Sequence, residues 1–103
     1  MRIFHLAEVA HWDEAQRTGA YTQSTLGRSL AEEGFIHASR ADQWETVRAT
    51  YYAGHDGPLV LLEIDTDLLD SPWQEDPVGQ TTFPHVYGPI NASAVVHTEP
   101  LTL

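Results

Sequence analysis

Gly34-Phe35-Ile36-His37-Ala38-Ser39 is a short apolar run that carries a histidine and a serine where a buried strand normally carries neither. In a strand, successive side chains point to opposite faces, so Phe35, His37 and Ser39 share one face while Ile36 and Ala38 share the other. One face packs, and the other is free to do chemistry. Phe83-Pro84-His85-Val86-Tyr87 repeats the arrangement. The residue before a proline is held extended, and the same alternation puts Phe83, His85 and Tyr87 on one side. Two such triplets in one small chain define a candidate site.

The rest of the chain is placed around these two strands. Arg2 to Leu6 reads as a first strand, with Ile3 and His5 on one face and Phe4 and Leu6 on the other. Glu8 to Thr18 follows a helical pattern that Gly19 ends. Asp42-Gln43-Trp44-Glu45 has the form of a capping box, and Trp44, Val47 and Tyr51 supply the apolar stripe of the helix behind it, which places Tyr51 in the core. Leu59 to Asp65, apolar on both faces as far as Glu63, marks an interior strand. Pro72 to Thr82 contains Pro72, Pro77 and Gly79 and shows no usable period, so a loop lying over the site is expected there. Ala92 to His97 supplies a last strand. This order gives an α+β fold: a single domain over residues 1–103, with two main helices and one mixed or antiparallel sheet of four to six strands.

Composition removes whole classes of chemistry. The chain has no cysteine, and all five of its basic residues are arginines. Disulfides, thiolate chemistry, P-loop lysines and Schiff bases are therefore excluded. A net charge of −10 repels nucleic-acid backbones and anionic membranes, so neither is an expected partner. A small anionic ligand remains compatible, because one pocket can gather arginines whatever the global charge; Arg40 and Arg28 are the candidates for contacting its phosphate. No apolar run reaches the length of a membrane span, and the N-terminus does not read as a signal peptide, so a cytoplasmic protein is expected.

Within the site, a histidine among apolar neighbours needs a partner or a function. His5, His37 and His85 all have such surroundings, whereas His11, His55 and His97 read as surface residues. Ser39, two residues after His37, is a candidate ligand contact, since no nucleophile elbow surrounds it. Glu75, beside Trp73 in the expected loop, is the candidate carboxylate, and Tyr87 the candidate stacking residue. The histidines and Glu75 show no metal-ligand spacing, and no metal is assigned.

Ile3-Phe4-His5, the Gly34–Ser39 run with Gln43, Leu61-Leu62-Glu63-Ile64-Asp65 and Phe83-Pro84-His85-Val86-Tyr87-Gly88-Pro89 together resemble the bacterial domain-of-unknown-function family 952 over nearly the whole chain. That family is similar, more distantly, to the ADP-ribosyltransferase-like fold. The resemblance implies a pocket for NAD or a related nucleotide and transfer or hydrolysis at a ribosyl or phosphate centre. By position it gives His5 the adenosine ribose, His37 and Ser39 the nicotinamide or phosphate side, and Glu75 or His85 the place of a late glutamate that steadies an oxocarbenium-like ribose. Glu75 does not head a strand in this reading, which departs from the superfamily pattern. A non-catalytic ligand-binding or protein-interaction module and a small metal-dependent hydrolase are the alternatives.

Overall fold

The central strand is the one whose sequence is apolar on both faces. Strand β4 (Leu59–Asp65) lies between β1 (Arg2–Glu8) and β8 (Val95–Leu101), antiparallel to both. The computed structural model describes residues 1–101. One face of β4, with Val60, Leu62 and Ile64, joins Ile3 and Ala7 of β1 in a core closed by Trp12 and Ala15 of helix α1 (Val9–Thr18). Its other face, with Leu59 and Leu61, joins Leu6 and packs on Val47 of helix α3 (Trp44–Tyr51) and on Tyr52. Burying each of these aliphatic side chains stabilises the fold by about 1.5–3 kcal/mol.

Among the described residues there are eight strands in three antiparallel sheets, so the α+β class stands while the single sheet of four to six strands does not. Strand β2 (Ala20–Tyr21) pairs with β7 (Ile90–Asn91), and β3 (Ile36–His37) pairs with β6 (Thr81–Val86), which pairs in turn with β5 (Trp73–Val78). A backbone bridge joins the third sheet to the first: Phe4 N–H donates to Ser39 O and Ser39 N–H to Phe4 O, both at 2.7 Å. The two expected main helices are α1 and α3, with a shorter α2 (Leu30–Glu33) between them.

Three local expectations are corrected. Residues 72–82 are not a loop: β5 and β6 form a hairpin in which Val78 pairs with Thr81 across Gly79-Gln80. Gly79 has φ +63° and Gln80 has a negative φ, the pattern of a two-residue turn with glycine first. Pro77 is tolerated because β5 is an edge strand. The capping box forms not at Asp42 but at α2, where the Ser29 hydroxyl accepts from Glu32 N–H and the Glu32 carboxylate accepts from Ser29 N–H. Gln43 occupies the cap position of α3, and its Oε1 accepts from Arg40 N–H. Tyr51 is exposed, and its neighbour Tyr52 takes the buried place. No helix among the described residues is long and apolar enough to cross a membrane.

Candidate functional site

The two-faced reading of β3 and β6 holds. Ile36, Ala38 and Val86 face the first core, and Phe35, His37, Phe83 and His85 turn to the other side. His37 stands directly opposite His85 in the β3–β6 register. Ala38 N–H donates to Pro84 O, so the adjacent His37–His85 pair is of the non-hydrogen-bonded type, in which facing side chains come closest. Their rings meet with His37 Nδ1 at 3.2 Å from His85 Nε2.

The chain of contacts continues into β5. His85 Nδ1 lies 2.7 Å from Asp76 Oδ2, and the same carboxylate accepts from Tyr87 Oη and, at 2.6 Å, from Gln74 Nε2. The Tyr87 hydrogen bond is the largest cause holding the Asp76 carboxyl below the usual carboxylate range, with Gln74 and His85 adding to it. The same bond pushes the Tyr87 hydroxyl up. An ionised carboxylate only accepts, so His85 carries its proton on Nδ1 and offers Nε2 to His37. Phe35 stacks on the His85 ring, centroids 4.0 Å apart and planes 17° from parallel.

His37 is neutral near pH 7, because burial, reinforced by the positive charge available to His85, lowers its pKa to about 4. With Nδ1–H donated to His85, its Nε2 holds a lone pair and has no protein partner among the described residues. Among the described residues the one buried side-chain polar atom without a partner is His55 Nε2, so His37 Nε2 is not sealed in. His37 and His85 border a cleft of about 390 Å³, together with Arg28, Glu33, Phe35 and Tyr51. Arg28 Nη2 and Glu33 Oε2 form an ion pair at 3.2 Å.

His5 is a different kind of histidine. Its Nδ1 donates to His37 O at 2.6 Å, and its Nε2 accepts from Tyr21 Oη at 2.9 Å. Burial lowers its pKa to about 4 and pushes the Tyr21 hydroxyl well above the usual phenol range. Both ring nitrogens are occupied. His5 and Ser39 border only a crevice of about 10 Å³ behind His37, room for one water at most.

Of the residues singled out in sequence, His37 and His85 come together on the cleft, and Tyr87 reaches them through Asp76. Glu75 and Arg40 do not join them. Glu75 pairs with Pro84, Gln74 with His85 and Asp76 with Phe83, so Glu75 lies on the opposite face from the histidines. There it pairs with Arg40, whose Nη1 also donates to Thr82 O at 3.0 Å. The carboxylate at the histidines is Asp76, one residue further along. Asp76 and Glu33 escaped sequence reading. The signal for Asp76 was Gly79-Gln80 between two extended runs, which sets the hairpin register and hence the face. Among the described residues no three His, Asp or Glu side chains are grouped as metal ligands would be.

Comparison with known proteins extends these observations. The chain is similar to protein CC0527 from Caulobacter crescentus in its crystal structure, with a TM-score of 0.85 and 28% identity over 100% of this chain and 88% of that one. A double-mutant form of the same Caulobacter protein matches with a TM-score of 0.80, at the same identity and coverage. No curated protein matches. The model of the family described as protein of unknown function (DUF952) matches residues 6–98, a span that holds β3, β5, β6 and every residue bordering the cleft, and the chain belongs to that family.

Proposed function

We propose that the cleft is an acid–base site for a small nucleotide-like ligand, NAD or a relative of it, and that the reaction is transfer or hydrolysis at a ribosyl or phosphate centre. The observation that carries this reading is the line Asp76–His85–His37, which ends in an unpartnered Nε2 beside the cleft. As the attacking water or hydroxyl oxygen bonds to the ribosyl carbon or phosphorus, the bond from that centre to the leaving group breaks and its electron pair departs with that group. His37 Nε2 takes the nucleophile's proton, and the Nδ1 proton of His37 passes to His85 Nε2. The charge then rests on a His85 imidazolium whose Nδ1–H is already bound to Asp76. This answers the weak basicity of a half-buried His37, since the proton comes to rest beside a carboxylate.

The ligand class is supported by the cleft's other walls. Phe35 and the exposed Tyr51 offer apolar ring faces for a planar base, and Arg28 offers a cation. The volume of about 390 Å³ falls within the range of small-molecule sites. The resemblance to ADP-ribosyltransferase-like proteins points to the same ligand class, and with Glu75 on the face opposite the histidines, His85 is the candidate left for the charge-bearing position.

The test is thermal-shift and product analysis with NAD, ADP-ribose and nucleoside phosphates, for the wild type and His37→Ala. A melting shift that survives in His37→Ala, together with turnover that does not, is expected. A shift with no turnover in either protein would leave a binding module. No response to any of these compounds would remove the nucleotide reading.

A further inference from the structure

We propose that the Arg28–Glu33 ion pair is a latch on the cleft: Arg28 is the receptor for the phosphate of an incoming ligand, and Glu33 is the internal anion which that phosphate displaces. The proposal rests on the reading of the cleft as a nucleotide site and narrows it to phosphorylated ligands. The arginines divide clearly. Arg2 is held by Glu63, Arg17 by Glu14, and Arg40 by Glu75 and Thr82, all away from the cleft, and Arg48 borders a different one with Trp44 and Tyr52. Arg28 is the arginine that borders it beside His37 and His85.

The pairing of Arg28 with Glu33 is open to competition. It is one contact, Nη2 to Oε2 at 3.2 Å, between an arginine side chain 57% exposed and a glutamate side chain 27% exposed. A guanidinium has five donors in a fork, so a single carboxylate oxygen leaves most of them for a ligand. The backbone beneath Arg28 is fixed, with Arg28 N–H donating to Thr25 O and Ser24 N–H to Arg28 O, both at 2.8 Å, in the turn that Gly27 makes at φ +78°. The receptor therefore pivots only through its side chain. In a chain of net charge −10, an uncovered anion receptor is scarce, and Glu33 keeps it neutral until a stronger anion arrives. A phosphate brings more charge and more acceptor oxygens than a carboxylate, so it wins the exchange at the cost of one exposed ion pair.

A latch differs from an ordinary binding residue in sign. Removing Arg28 must weaken anion binding, whereas removing the charge of Glu33 must strengthen it. The experiment is calorimetric titration with inorganic pyrophosphate and, separately, ADP-ribose, on the wild type, Arg28→Gln, Glu33→Gln and the double variant, with circular dichroism to check folding. Arg28→Gln is expected to weaken pyrophosphate about tenfold. Glu33→Gln is expected to tighten it about three- to fivefold, an effect that shrinks in the Arg28→Gln background and at high salt. Weaker or unchanged binding in Glu33→Gln overturns the latch, as does an absence of pyrophosphate binding in both wild type and Glu33→Gln. Nucleotide turnover with affinities indifferent to both substitutions removes the latch and leaves the proposed function. Pyrophosphate binding with the expected signs but no response to nucleotides does the reverse.

Discussion

His5 and His37 are joined by one hydrogen bond, from a ring nitrogen of the first to the backbone oxygen of the second, yet their remaining ring nitrogens end in different surroundings. Both sit on strands, both are shifted to a pKa of about 4 by burial, and both were candidates in sequence. His5 spends both nitrogens inside the protein, one on β3 and one on Tyr21, and so ties β1 to β3 and β2. His37 spends one nitrogen on His85 and keeps the other unpartnered. A perturbed histidine is common to structure and to chemistry; a free ring atom beside a cleft separates the two.

Substitutions sharpen that separation, beginning with the largest effect. His37→Ala is expected to reduce turnover by about 10²- to 10⁴-fold, the usual contribution of a positioned acid–base group, with the melting temperature little changed. Asp76→Asn keeps the shape but removes the acceptor that fixes the His85 proton on Nδ1. It is expected to cost roughly tenfold or more in kcat with less effect on KM, and steady-state kinetics across pH checks this. His5→Ala should behave in the other way. It leaves the Tyr21 hydroxyl and the His37 carbonyl without partners in the core, so denaturant unfolding should show a loss of about 2–4 kcal/mol, while the folded fraction keeps its kcat.

Acid exposes the same contrast. In the unfolded chain both histidines protonate near their ordinary value of 6.5, and in the folded protein only near 4. Between these values the unfolded chain binds more protons, so their contribution to stability is complete above pH 6.5 and is lost as pH falls toward 4. His5, fully buried, accounts for on the order of 2–3 kcal/mol of that loss, and His37 for less because solvent screens it. Urea unfolding at a series of pH values should show the slope, and His5→Phe should flatten most of it. The smallest effect belongs to Glu75→Gln. Its exposed pair with Arg40 is worth about 1 kcal/mol or less, and turnover should not move. A large loss of turnover here would return Glu75 to the site.

The sequence made His37 and His85 legible because strand alternation is a local property, and both strands carry apolar residues on the core-facing side. The core strand β4 was legible for the same reason, since only a strand covered on both faces is apolar throughout. Asp76 was not legible. Strand β5 is an exposed edge with no apolar alternation of its own, and Pro77 and Gly79 make it look like loop. Its face is decided by the register across Gly79-Gln80, and one residue of error exchanges Glu75 for Asp76. Tyr51 and Tyr52 show a similar ambiguity on a helix end, where both fall near the edge of the apolar stripe and packing against Leu6 and Leu61 chooses Tyr52. The difference in partners between His5 and His37 is a tertiary fact: Tyr21 and His85 are brought in from 16 and 48 residues away.

The most direct test of the account is chemical. Diethyl pyrocarbonate acylates an unprotonated, reachable imidazole nitrogen, and the absence of lysine and cysteine from this chain gives a clean background for peptide mapping by mass spectrometry. At neutral pH, with the protein folded, His37 is expected to be modified while His5 and His85 are spared, and loss of any turnover should track His37 alone. Modification of His5 at the rate of His37, or a His37 that stays intact, would contradict the claim that the working atom of this site is the Nε2 of His37.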